Sequence, residues 1–207
     1  MPTRSVPRPD RSFCLAAALL LAAGCATRDA WQQPETVIET LAIAPGATVA
    51  DVGAGDGYFV PWLSRAVGPE GRVFAVEVDA ERVVDLEQLV ADEGLDNVEV
   101  VLGGFEDPGL PDGEIDLVFL CNTYHHIEAR PAYFARVRTD DLTRGGRVAI
   151  LDPNRDATGM VSWFLEDGHT SSAPEVREEM AQAGYESTAS PDFLVSQIFE
   201  IFAPQAP

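Results

Sequence analysis

In "VADVGAGDGYFV", Val49 to Val60, Gly53, Gly55 and Gly57 follow Asp51. Glycines at this spacing let a backbone approach a nucleotide closely. The dinucleotide-binding fingerprint is G-x-G-x-x-G, with a pyrophosphate resting on a helix N-terminus. Here the spacing is G-x-G-x-G, Asp51 stands before it and Asp56 lies inside it. Two carboxylates repel a pyrophosphate and suit a ligand with a cationic end.

S-adenosylmethionine (SAM) is such a ligand: it carries a sulfonium, an ammonium and a carboxylate, and no phosphate. Glu77, in "VFAVEVD" and 26 residues after Asp51, supports this reading. A carboxylate at the end of a second strand can accept both hydroxyls of a ribose. Glu77 alone does not separate SAM from NAD; combined with the loop spacing it favours SAM. A third group of reactive residues is "NTYHHI", Asn122 to Ile127. Histidine titrates near neutrality, so either member of the pair can take a proton from a nucleophile that arrives protonated. His126 adjoins apolar Ile127 and is expected to pack; His125 is the candidate base. Three histidines without paired spacing are a poor ligand set, so no metal is expected.

These residues need a scaffold, and strand and helix patterns alternate along the chain. A helix is predicted from Pro34 to the "APG" stop, then a strand over 48–52 and a helix over 58–67 with Pro61 in its first turn. A strand over 72–78 precedes a helix over 80–94 that ends at Gly94. Strands over 98–103 and 115–122 follow, the latter apolar enough to be buried on both faces. A helix over 129–142 leads through a Gly-Gly turn into a strand over 146–153. The last elements are a helix over 172–185, with Ser172 and Glu175 at capping-box spacing, and a strand over 193–204. Alternation of this kind implies a parallel sheet with helices on both faces, binding ligands where the strand order reverses.

With these motifs in view, the chain resembles the class I SAM-dependent methyltransferases, of the small ubiquinone/menaquinone-biosynthesis type. The likeness covers roughly residues 35–203 and rests on "VADVGAGDG", "VFAVEVD", "GGFEDPGLPDGEIDLVFLCNTYHHI" and "LTRGGRVAILDP". It implies an α/β fold: a Rossmann-like, seven-stranded, mostly parallel sheet of order 3-2-1-4-5-7-6 with the last strand antiparallel. It also implies roles. Asp51, Gly53 and Gly55 would line the methionine part of SAM, and Glu77 would hold the ribose. Phe105 and either Glu106 or Asp107 would frame the adenine. Asn122 would lie near the transferred methyl group. Many relatives carry an aspartate where Gly104 stands, which weakens the acidic adenine contact, and Asp107 before Pro108 could instead cap a turn.

The activity implied is methyl transfer to a small-molecule acceptor. That acceptor is lipophilic if Met160, Trp163, Phe164 and Leu165, with His169, roof the site after the fifth strand. The alternatives are a non-catalytic SAM- or nucleoside-binding protein and an NAD-dependent reductase. Composition narrows the field further. The 207-residue chain has a net charge of −20, which disfavours nucleic acid as a partner. All 14 basic residues are arginine, so Schiff-base chemistry and a P-loop lysine are excluded.

The N-terminal segment has a different character. Arg4, Arg8 and Arg11 precede the apolar run "FCLAAALLLAAGC", which is short for a bilayer span and reads as a signal peptide over 1–24. "LAAGC" resembles a bacterial lipoprotein cleavage box. Cys25 would then be lipidated and followed by a tether over 25–33, with the catalytic domain over 34–207 held to a membrane surface on the periplasmic side. A cytoplasmic location is the alternative, because SAM is made there. Cys14 would leave with the signal, and Cys121 would remain as a buried thiol without a disulfide partner.

Overall fold

The computed structural model describes residues 28–157 and 170–206. It divides between Gln33 and Pro34. Within the first unit the described element is a short helix, α1 (Arg28–Gln32).

In the second unit, α2 (Pro34–Leu41) leads to β1 (Thr48–Val52), α3 (Val60–Val67), β2 (Arg72–Glu77), α4 (Ala80–Glu93) and β3 (Val98–Leu102). Next come β4 (Ile115–Cys121), a single 3₁₀ turn over Tyr124–His126, α5 (Arg130–Arg136) and β5 (Leu142–Pro153). The chain finishes with α6 (Ala173–Gln182), β6 (Tyr185–Ala189) and β7 (Gln197–Pro204). The seven strands form one sheet in the order β3-β2-β1-β4-β5-β7-β6, with β7 antiparallel to both its neighbours. The expected fold is borne out.

Local chemistry explains most boundaries. Pro61 sits in the first turn of α3, where its missing N–H costs nothing, and Val60, Leu63 and Val67 turn inward. Asp79 caps α4 by accepting from the Glu81 N–H at 2.9 Å, and Gly94 ends the helix at φ +63°. Ser172 caps α6 through the Glu175 N–H. Along β4, Ile115, Leu117, Val118, Phe119 and Leu120 are all buried, as a strand covered on both faces requires. One face packs Tyr124, Phe134, Ile150, Met180 and Phe202; the other packs Val37, Phe59, Leu63, Phe119, Leu151 and Phe199.

Three expectations need correction. The helix predicted over 129–142 ends at Arg136 and widens into a π turn over Val137–Asp141. In consequence β5 begins at Leu142 rather than residue 146, and Gly145 and Gly146 lie inside it. They sit where the β4–β5 register shifts between Ile115 and Leu117, so the glycine pair makes a bulge rather than a turn. Finally, the helix expected over 172–185 stops at Gln182, and the chain turns directly into β6, a strand that sequence periodicity did not reveal. With four of its five residues exposed, β6 lacks the apolar run that signals a strand.

Candidate active site

The strand order reverses between β1 and β4, so the ends of these two strands flank the crevice where α/β sheets take ligands. From β1 come Asp51, which is buried, and the glycine loop. Gly53, Gly55 and Gly57 all have positive φ, but they do different jobs. A Cβ on Gly53 would lie 2.3 Å from the Thr123 side chain, so this glycine lets the loop press against the segment after β4. A Cβ on Gly57 would lie 2.4 Å from Leu89 of α4, which makes Gly57 a packing residue. A Cβ on Gly55 meets nothing closer than an Arg82 guanidinium nitrogen at 3.5 Å, so at this position the loop opens outward. Asp56 lies on the rim, its Oδ1 accepting from the Tyr58 N–H.

Glu77 ties the loop to β2. Its Oε2 accepts from the Gly55 N–H at 2.9 Å, and its Oε1 accepts from the N–H groups of Val78 and Asp79 at 2.8 and 3.1 Å. Oε2 thus keeps a lone pair for a ligand hydroxyl, while Oε1 is committed to backbone. Beyond it the surface is apolar and open. Among the described residues, three of the six exposed large hydrophobic side chains, Val78, Leu102 and Phe105, stand at the ends of β2 and β3. Phe105 is 77% exposed.

The acidic residues of this loop divide. Glu106 is exposed. Asp107 accepts from the Gly109 N–H at 2.9 Å and pairs with Arg136 at 2.7 Å, so it shapes the turn between β3 and β4. At Gly104 a Cβ would come within 3.2 Å of the Asp107 carbonyl oxygen, which favours glycine where an aspartate might be sought.

On the β4 side, Asn122 has φ +56°, a left-handed conformation that asparagine tolerates better than most residues. Its N–H donates to Leu151 O at 2.8 Å, and its Oδ1 accepts from Gln197 Nε2 at 2.7 Å. Gln197, at the start of β7, is buried, and its Oε1 has no hydrogen-bond partner among the described residues. Thr123 reaches back across the crevice, its hydroxyl 3.2 Å from Gly53 O. Tyr124 turns under the sheet instead, donating to Glu179 at 2.6 Å. Burial opposes ionisation of Glu179, but hydrogen bonds from Arg130 and Tyr124 outweigh it and hold its carboxyl below the usual range.

The two histidines exchange the places expected of them. His126 is exposed. His125 is the packed member: its Nδ1 lies 3.0 and 3.1 Å from the two oxygens of Asp152, which is fully buried. The parallel register explains this. β4 and β5 run side by side to Cys121 and Leu151, so the next residues of both strands meet at one edge. Ser171 donates to the same carboxylate at 2.7 Å. Asp152, Ser171, Thr123 and Gln197 were not singled out from sequence; the one available signal was an aspartate closing an apolar strand in "AILDP". Met160, Trp163, Phe164, Leu165 and His169 lie outside the described residues, as do Cys14 and Cys25.

The donor set fits SAM. Acidic Asp51 stands at the end of β1, Gly55 opens outward, Glu77 offers an acceptor and an apolar ledge extends past β3. When bound, SAM supplies an electrophilic methyl group that a nucleophile takes by in-line displacement.

Comparison with known proteins agrees. Residues 49–146 match the model of a methyltransferase domain. The chain is 25% identical over 146 residues to a ubiquinone/menaquinone biosynthesis C-methyltransferase of Hahella chejuensis, covering 70% of this chain and 58% of that protein. It is 32% identical over 115 residues to an arsenite methyltransferase of Halobacterium salinarum, covering 54% of this chain and 28% of that one. The chain spans between 28% and 58% of the length of the first curated relatives it matches. A crystal structure of a SAM-dependent methyltransferase from Aquifex aeolicus superposes with a TM-score of 0.77 at 24% identity, over 90% of this chain and 98% of that one. Residues 49–146 thus match a methyltransferase domain, and the fold is that of the Aquifex aeolicus SAM-dependent methyltransferase.

Proposed function

We propose that this protein transfers a methyl group from SAM to a small-molecule acceptor. The observation that carries the proposal is the crevice between β1 and β4, which sets an acidic, glycine-opened loop beside a histidine held by a buried aspartate. In this reading Asp51, Gly53 and Gly55 seat the amino-acid end of the cofactor. Glu77 accepts from the ribose through Oε2, Phe105 stacks on the adenine with Glu106 at its edge, and Asn122 borders the methyl group. Asp107, committed to Gly109 and Arg136, contributes by shaping the loop. The protein's work is to orient the acceptor and exclude water. His125, rather than exposed His126, is the base where the acceptor arrives with a proton.

Calorimetry with SAM, S-adenosylhomocysteine and NAD tests the cofactor seat, with SAM and S-adenosylhomocysteine expected to bind and NAD not. Release of S-adenosylhomocysteine across a panel of small acceptors tests turnover. Binding of NAD in place of SAM would sink the reading.

The proposal includes a location. The arginine-led apolar run ending in "LAAGC" supports export, with Cys25 lipidated and residues 34–207 held at a membrane surface. Palmitate labelling of wild type but not of Cys25→Ser, together with membrane fractionation, is the expected outcome. Unlabelled, cytoplasmic protein overturns it.

A further inference from the structure

We propose that Gln197 is a positioning residue for Asn122, and that the pair selects acceptors carrying a carbonyl oxygen or an oxyanion on an apolar body. The inference rests on the methyl-transfer reading above and names the class of acceptor. β7 runs antiparallel to β5, which sets its first residue, Gln197, opposite Pro153 at the carboxyl end of β5. Asn122 follows Cys121, which pairs with Leu151 of the same strand. Their side chains therefore meet across the end of β5, where Gln197 Nε2 donates to Asn122 Oδ1 at 2.7 Å. This is the half of the carboxyl edge away from Glu77 and the glycine loop.

Two local costs fall on this pair. Asn122 has a left-handed φ of +56°. Gln197 is 5% exposed, and its Oε1 has no hydrogen-bond partner among the described residues. An unpaired buried acceptor costs about 1–3 kcal/mol, and a methionine of similar length would fill the same space without it. The amide does what a methionine cannot: it occupies Asn122 Oδ1 and so fixes which way the Asn122 amide turns. With Oδ1 taken, Nδ2 points elsewhere; among the described residues it makes no hydrogen bond, and it is not buried. Asn122 thus presents N–H donors, rather than its carbonyl, at the edge of the sheet. A ligand oxygen with free lone pairs satisfies these donors, whereas an ammonium group does not. The rest of this edge is apolar. Val195, two residues before Gln197, is 77% exposed, and half-buried Cys121 and Phe193 pack on the cluster that holds Leu151 and Phe199.

The test compares wild type with Gln197→Met and Asn122→Asp, loaded with S-adenosylhomocysteine, after circular dichroism confirms folding. The probes are 3-hydroxyacetophenone and 3-ethylphenol, which differ by one carbonyl oxygen. Calorimetry should show wild type binding the ketone about 10-fold more tightly. Gln197→Met, whose affinity for S-adenosylhomocysteine should match wild type, should lose most of that preference. Asn122→Asp keeps the bond from Gln197 but offers an oxygen in place of the N–H donors, and should reverse the preference. Nitrogen spectra give a second readout. The side-chain amide of Asn122, assigned by its absence in Asn122→Asp, should shift when the ketone is added to wild type and stay in place with 3-ethylphenol. Equal affinity of wild type for the two probes, or binding of neither, overturns the acceptor class. A preference retained in Gln197→Met overturns the positioning role, and an Asn122 amide unmoved by the ketone overturns the contact. Failure of wild type to bind SAM and S-adenosylhomocysteine overturns the methyl-transfer reading instead.

Discussion

The two sides of the crevice are built by different means. On the β1–β2 side the working parts are a backbone loop rich in glycine and one carboxylate, Glu77, held by the N–H groups of Gly55, Val78 and Asp79. The hydrogen bonds there join neighbouring parallel strands, β1 and β2, or residues of one turn. On the β4–β5 side the working parts are side chains that the sequence holds far apart: His125 with Asp152, Asp152 with Ser171, Asn122 with Gln197, and Tyr124 with Glu179. The difference matches the two tasks proposed above. A cofactor shared by a whole family can be held by backbone geometry that few residue types permit, whereas an acceptor is recognised by side chains that can change without altering the loop.

If that contrast is right, the largest effects should come from bulk added to the backbone side. In Gly53→Val the new Cβ enters the Thr123 side chain at a φ of +75°, and strain of about 1–3 kcal/mol adds to the clash. Thermal melts should show a severely destabilised protein. Gly55→Val, at a φ of +60°, carries similar backbone strain without the clash, and should leave a folded, less stable protein whose SAM dissociation constant rises more than about 100-fold, measured by calorimetry. Near-native affinity in that variant would remove the loop from the cofactor site.

Smaller effects should follow from the side-chain half. Tyr124→Phe removes one donor from Glu179 and leaves Arg130 in place, so denaturant melts should report a loss of about 1–2 kcal/mol with SAM affinity unchanged. A large drop in SAM affinity would show that the two halves are coupled.

The last effect expected is one of pH. Asp141, at the end of the π turn, is buried, and its Oδ2 has no hydrogen-bond partner among the described residues. Burial, then the nearby charges of Asp107 and Asp140, push its carboxyl up from about 3.8 to about 7, against the pull of Arg136. The folded state therefore holds a proton that the unfolded chain has released, and this group's contribution to stability falls as pH rises from about 4 to 7. Asp141→Asn should be more stable than wild type above pH 7 and lose that advantage toward pH 4, as read by melts across the range. A gain independent of pH would assign the effect to packing instead.

How much of this was legible beforehand follows the same division. Gly53, Gly55 and Glu77 could be picked out because a local requirement, positive φ or a strand-end carboxylate, restricts residue type within a short window. The same locality made the caps at Ser172 and Gly94 and the first-turn Pro61 readable. β6 was missed because its exposed polar residues imitate a loop, and its pairing with β7 is what makes it a strand. The histidine pair was visible as a source of chemistry, but the expectation that His126 would pack followed its neighbour Ile127 in the sequence, and neighbours in sequence do not set burial in a 3₁₀ turn.

By itself, then, the sequence determined the α/β alternation, the glycine loop and the strand-end carboxylate beside it, because these depend on residues close enough along the chain to constrain one another. Only the tertiary structure decided which histidine is held, by which aspartate, and which glycine faces open space. Those depend on the register of β4 against β5 and on the packing of the loops between strands, and both are set by contacts across the sheet.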